Sequence, residues 1–375
     1  MKSFLSSFLF FTATCVFANM ASPIWEGTES ATAFSSRDID ILNETIQIKI
    51  DSAFKTAVYK IEYRIRSSAE GKQIPLLFYA MDQHRENKQD FTVWLDGIQV
   101  TVLPVPKDYR IRPDSAFQKF SSAFNNRVID KELDEVVIYW YENIGNVLNL
   151  SELNYFEVDL SKGEHTIRVE YTAKAWANVG DWVNEYSFRY SLTPAKHWKS
   201  FGGLQVELDA SAFTSALTTN LGNPVSKTHD SVFRWTFQKL PQEYITISYT
   251  PPVSGFTTAM MRSGSWIGLA ISLSLVALHI FFIHRFRKKH PGKLFSWIWL
   301  LGSVAVPFLC IMVYIGLSLY THSLIGEHAG RHGPRSSISI LMYPIVTPVY
   351  TLVQWVVDRI IKWNIHLSAK IRSNE

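Results

Sequence analysis

Cysteine is nearly absent from these 375 residues: there are two, Cys15 and Cys310. One falls in an apolar N-terminal stretch and the other deep in a hydrophobic run, so residues 19–262 hold none. An exported domain without disulfides must be held by core burial, which a stretch of this length can supply. Their lack also favours a bacterial envelope protein over an animal secreted one. Acidic residues are scarce near the end. Residues 263–375 carry 11 Lys and Arg against 3 Asp and Glu, whereas residues 19–262 carry 25 against 30. The net charge of +4 therefore belongs to membrane flanks, and no nucleic-acid partner is expected.

The signatures of common catalysis are missing too. There is no H-E-x-x-H, no G-x-S-x-G, no phosphate loop and no Gly-rich dinucleotide fingerprint. Ser52-Ala53-Phe54-Lys55 matches S-x-x-K, but it joins two strand-like runs and lacks companion motifs, so it reads as chance. Asn43-Glu44-Thr45 and Asn149-Leu150-Ser151 match the glycosylation triplet and carry no more weight. No enzyme activity and no cofactor are expected.

What is present begins with a leader. Lys2, an apolar run over 4–17 and the small-residue pattern Val16-Phe17-Ala18 make residues 1–18 a signal peptide cleaved after Ala18. Thr12-Ala13-Thr14 before Cys15 lacks the aliphatic residue that lipidation needs. A first hydrophobic run, residues 264–284, spans a bilayer about 30 Å thick at about 1.5 Å per residue. It is followed by Arg285, Arg287, Lys288, Lys289 and Lys293, which determine the topology by placing residues 285–293 in a cytoplasmic basic loop.

A second span covers 294–320, with Pro307 inside it, and an outer loop covers 321–337. A third stretch, 338–357, contains Pro344, Pro348 and Gln354 and either spans or lies on the membrane. If it spans, Arg359, Lys362, Lys370 and Arg372 of the tail 358–375 are cytoplasmic as well. The expected product is a multi-pass inner-membrane protein with its large N-terminal domain outside and its C-terminus inside. Gly268 with Ser272, and Ala270 with Ser274, offer close helix approach. His279 is expected to form a helix–helix hydrogen bond.

Between leader and membrane, apolar residues alternate with polar ones at period two, as in half-buried strands. Strand-like runs fall at 39–50, 58–66, 91–95, 98–102, 136–141, 155–160, 165–173, 185–191, 204–208, 232–237 and 244–249, and 74–80 is a continuous apolar run more like a central strand. Asp96-Gly97 is a two-residue hairpin signal, since both turn positions need positive φ. From Asp114, a short helix with Phe117, Phe120 and Phe124 on one face is expected. The fold class is a mainly β extracytoplasmic domain over 37–250, an antiparallel β-sandwich, Ig-like or double, with a subdomain break open near 175–195. A tether over 251–263 joins it to an α-helical transmembrane region.

Two clusters are candidate sites. Trp176, Asp181, Trp182, Asn184 and Tyr186 mix rings, amide and carboxylates, a composition suited to a glycan or peptide as well as to core packing. His322, His328 and His332, with Glu327, could hold a divalent metal. The leading expectation is a non-enzymatic, membrane-anchored envelope protein whose β domain binds a protein or glycan partner outside the cytoplasmic membrane, alongside the lipid bilayer itself. An accessory or sensor subunit acting through three transmembrane helices is the alternative, and a metal-dependent enzyme using the outer-loop histidines is a lesser one.

Overall fold

A computed structural model describes residues 19–21, 39–79, 91–105, 117–119, 135–141, 144–149, 154–192, 195, 198–227, 231–242, 244–331 and 336–372. Residues 1–18, where the signal peptide is expected, lie outside them, as do Asp114, Phe120, Phe124 and His332. The chain forms two units. One comprises the chain up to Ala177 plus Tyr186–Tyr249; the other comprises Asn178–Glu185 and everything from Thr250 onward. Within the window 175–195 where a subdomain break is expected, Asn178–Glu185 belongs to the second unit.

The first unit is mainly β. Its largest sheet has nine strands, ordered Ser226–Lys227, Val232–Phe237, Leu204–Asp209, Ile39–Ile50, Thr56–Ser67, Gly163–Lys174, Thr92–Leu95 and Ile98–Val100, with Ser200–Phe201 beside Ile39–Ile50. A second sheet runs Trp176–Asn178, Glu185–Ser191, Tyr244–Tyr249, Thr218–Thr219. A third contains Asn19–Ala21, Gly71–Tyr79 and Asn154–Leu160, and a fourth Phe117–Lys119, Glu135–Tyr141 and Ile144–Asn149.

Phe117 is therefore in a strand paired with Glu135–Tyr141, not in a helix. The large sheet is mixed rather than antiparallel throughout. Leu204–Asp209 and Ser200–Phe201 both pair with Ile39–Ile50 in parallel, a direction that alternation of residue types does not encode.

Alternation dictates which side chains face inward. In Thr56–Ser67, Ala57, Tyr59, Ile61, Tyr63 and Ile65 are all buried. Ile39–Ile50 changes phase midway. Ile39 and Ile41 point inward, then the register shifts between Ile41 and Asn43, and from there Glu44, Ile46, Ile48 and Ile50 do. The bulge delivers a carboxylate to the core. Gly202 packs against the bulge so closely that a Cβ there would meet the Leu42 carbonyl oxygen at 2.3 Å.

At the expected hairpin turn, Asp96 has φ 51° and Gly97 φ 84°. His165 links this turn to the next. Its Nδ1 lies 2.7 Å from the Asp96 carboxylate and its Nε2 2.9 Å from the Ser161 carbonyl oxygen. Partial burial lowers the imidazole's pKa, but the two acceptors outweigh it and hold the pKa above the ordinary histidine value.

The second unit is helical: α1 (Gly255–Lys289), α2 (Trp297–Ile325) and α3 (Ser336–Arg372). Ser254 Oγ caps α1 by accepting from the Thr257 amide at 3.0 Å, so 255–263 are turns of helix rather than a tether. Arg285 to Lys289 complete the same helix, leaving a short link to Ser296, which caps α2. Past 320, α2 continues to Ile325, and a single 3₁₀ turn, Gly326–His328, ends it. Two helices, α1 and the one beginning at Trp297, are long and apolar enough to cross a membrane. Large apolar side chains such as Trp266, Leu273, Phe281, Leu301 and Leu319 are exposed on them.

Candidate functional site

In the helical unit, four buried polar side chains, His279, Arg287, Gln354 and Asp358, fall along one seam. His279, Ile283 and Arg287 follow one another at i, i+4, i+8 on α1 and are all buried. Tyr350, Gln354 and Asp358 repeat that spacing on α3, with Gln354 and Asp358 buried. His279 Nδ1 lies 3.0 Å from the Tyr350 hydroxyl, and its Nε2 lies 3.2 Å from the Ile298 carbonyl oxygen of α2. A carbonyl only accepts, so Nε2 carries a proton and donates to Ile298; the Tyr350 hydroxyl, which can donate or accept, satisfies Nδ1. The helix–helix hydrogen bond expected of His279 is present.

Two turns along, Arg287 Nε and Nη2 donate to the two Asp358 carboxylate oxygens at 2.7 and 2.5 Å, and Nη1 donates to the Lys293 carbonyl oxygen at 2.7 Å. Of the five cations read as topology signals, Arg287 is thus buried and paired. Both cross-helix contacts join residues 71 apart in the chain. A constant difference is the mark of parallel helices; antiparallel ones would give a constant sum. The two contacts lie eight residues apart, about 12 Å of helix.

Gly302 makes room for the imidazole, since a Cβ there would meet His279 Nε2 at 2.1 Å. Of the small residues singled out in α1, Gly268 is buried, with Leu317 of α2 3.4 Å from where its Cβ would sit, while Ser274 is exposed and its hydroxyl bonds back to Ala270 O at 2.9 Å.

At the other end of the helical unit, Asn178–Glu185 lies along the link after α2. The Asn184 amide donates to His328 O at 2.8 Å, the Gly330 amide to Trp182 O at 2.8 Å, and the Arg331 amide to Val179 O at 2.6 Å. The Trp182 ring meets His322 edge-on, with centroids 5.3 Å apart. Trp182 also borders a cavity of about 160 Å³ with Met260, Gly264, Ser265, Tyr314 and Thr321.

Gly330 has no room for a side chain, because a Cβ would stand 1.9 Å from Asp181 O. Gly330→Ala is expected to detach this segment. Hydrogen exchange at the Asn184 and Arg331 amides should quicken by about tenfold or more while the seam amides stay protected; unchanged exchange at both would contradict it.

The five residues expected to form a ligand surface divide between the two units. Trp176 lies under the Arg189 guanidinium, 4.0 Å from the ring centroid, and Tyr186 pairs with Tyr249; both belong to the β-rich unit. Asp181, Trp182 and Asn184 belong to the helical unit, where Asp181 is exposed and Asn184 buried. The change of unit at 178 and again at 186 is not revealed by composition. Of the three histidines, His322 packs on Trp182, His328 Nε2 lies 3.6 Å from Glu327, and His332 lies outside the described residues.

No known family's profile matches the chain, and no curated protein matches its sequence. Solved structures do show likeness. Native yeast LTA4 hydrolase is 9% identical with a TM-score of 0.28, over 61% of this chain and 33% of that one. The same yeast enzyme with bestatin is 11% identical with a TM-score of 0.31, over 61% and 32%. An M1 zinc metallopeptidase from Deinococcus radiodurans is 10% identical with a TM-score of 0.28, over 59% and 46%. This chain thus spans between a third and a half of those proteins' length.

The neighbours being hydrolases and peptidases, the expectation of a non-catalytic envelope protein that binds a protein or glycan partner is corrected and set aside. Likeness at this level assigns no activity to this chain. The sequence has no H-E-x-x-H, and among the described residues no three His, Cys, Asp or Glu side chains converge.

Proposed function

We propose that this is a three-span membrane protein whose helical unit is a stapled scaffold, fixing the segment Asn178–Glu185, and through it the β-rich unit, at one side of a cell membrane. The observation that carries the proposal is the parallel seam of α1 and α3. If α1 crosses the bilayer, a helix joined to it at two points about 12 Å apart along its axis crosses at the same depth and does not lie on the surface. The exposed apolar side chains of α3, among them Leu341, Ile345, Val349, Leu352 and Val356, suit lipid contact.

Orientation follows from the same geometry. Parallel α1 and α3 carry Arg285, Lys288 and Lys289 on one and Arg359, Lys362, Lys370 and Arg372 on the other toward the same side, and the positive-inside bias makes that side cytoplasmic. The β-rich unit, read as a sandwich of its larger sheets, then lies outside, in accord with the leader, and the membrane is the inner membrane of a bacterial envelope.

Single cysteines in a Cys310→Ser background test this with a membrane-impermeant maleimide. Glu327→Cys should label in intact cells, and Lys289→Cys and Lys370→Cys only after permeabilisation. Labelling of Lys370→Cys in intact cells would remove the third span.

A further inference from the structure

Glu44 is fully buried in the β-rich unit, brought inward by the bulge after Ile41. Tyr190 donates its hydroxyl to Glu44 Oε1 at 2.7 Å, and the Tyr63 and Tyr190 hydroxyls are 2.7 Å apart. Glu44 and Tyr63 belong to the large sheet and Tyr190 to the second, so this cluster is a polar join between two sheets in an otherwise apolar core. Glu44 Oε2 has no hydrogen-bond partner, nor has the hydroxyl of Tyr171, which faces the cluster from Gly163–Lys174. Tyr59 stacks on Tyr171 with ring centroids 4.9 Å apart. The groups set against Glu44 are thus phenols, and no cation among the described residues compensates a charge there.

A carboxylate with one dry, unpaired oxygen is costly; a neutral acid is not. We propose that Glu44 is a proton-operated latch: as the neutral acid it holds Glu185–Ser191 against Ile39–Ile50, and its ionisation loosens that join. Burial, opposed by the bonds from Tyr190 and Tyr63, lifts the Glu44 pKa from 4.5 to about 7. Because the folded value is the raised one, the stabilisation is complete below the unfolded pKa and is lost as pH rises through about 7. The proposal is independent of membrane orientation.

The test is hydrogen exchange of the full-length protein in detergent, followed in peptides covering 39–50 and 185–191 and corrected for intrinsic exchange rates. Between about pH 5 and about pH 8 protection should fall on the order of 100-fold. Glu44→Gln should remove most of that slope, leaving the smaller contribution of the same sign from His165. A wild-type protein whose protection is level across this range, or a Glu44→Gln protein with the full slope, would overturn the latch. Should Glu44→Gln fail to fold, the wild-type infrared spectrum decides. The C=O band of a buried neutral carboxylic acid should be present at about pH 5 and gone at about pH 8, and its absence at the lower pH refutes the proposal.

Discussion

Asp358→Asn lowers stability by about 3–5 kcal/mol, the largest loss expected of any single substitution in the helical unit. The Arg287 and Asp358 side chains are only 3% and 6% exposed, and the guanidinium gives a third hydrogen bond to the Lys293 carbonyl. Removing the carboxylate charge strands a buried cation that cannot lose its proton. Replacing both partners is a different experiment. Arg287→Met with Asp358→Leu removes the charges together with their desolvation cost and should fall within about 1–2 kcal/mol of the parent. Thermal inactivation in detergent separates the two. A double variant as unstable as Asp358→Asn would mean that the pair itself, and not the stranded charge, sets the stability.

Gly302→Ala is expected to cost about 1–3 kcal/mol, a large effect for one methyl group. The new Cβ would sit 2.1 to 2.7 Å from three atoms of the His279 ring. The ring has little freedom to retreat, since bonds to Tyr350 and Ile298 hold both its nitrogens. If this clash is the cause, His279→Ala should cost much less in the Gly302→Ala background than in the parent, so the two losses are strongly non-additive. Simple additivity would place the cause elsewhere.

Much of the β-rich unit was legible because period-two alternation and turn chemistry are local. Val232–Phe237 and Tyr244–Tyr249 begin and end where their patterns do, and Asp96-Gly97 turns as its residue types require. The inward Glu44 could have been found. Ile41 and Ile46 are five apart, an odd spacing that one uninterrupted strand cannot place on one face, so a bulge between them was implied. The seam was half visible. His279, Ile283 and Arg287 follow helical spacing, but Arg287 stands among four other cations and Asp358 at the head of a basic tail, which hides their pairing.

Gly302 and Gly330 carried no local signal, because each is required by a group far away in the chain, the His279 ring and the Asp181 carbonyl. The parallel pairing of Leu204–Asp209 with Ile39–Ile50 was hidden for the same reason.

The parallel seam of α1 and α3 is best tested away from its midpoint, where parallel and antiparallel packing bring different residues together. Val276 and Thr347 precede His279 and Tyr350 by three residues each and keep the same difference of 71. Val276→Cys with Thr347→Cys, in a Cys310→Ser background, should crosslink on mild oxidation in native membranes, while Val276→Cys with Ile361→Cys, the pair an antiparallel packing would join, should not. Crosslinking of the second pair in place of the first would contradict the parallel arrangement, and with it the third span and the side assigned to the β-rich unit.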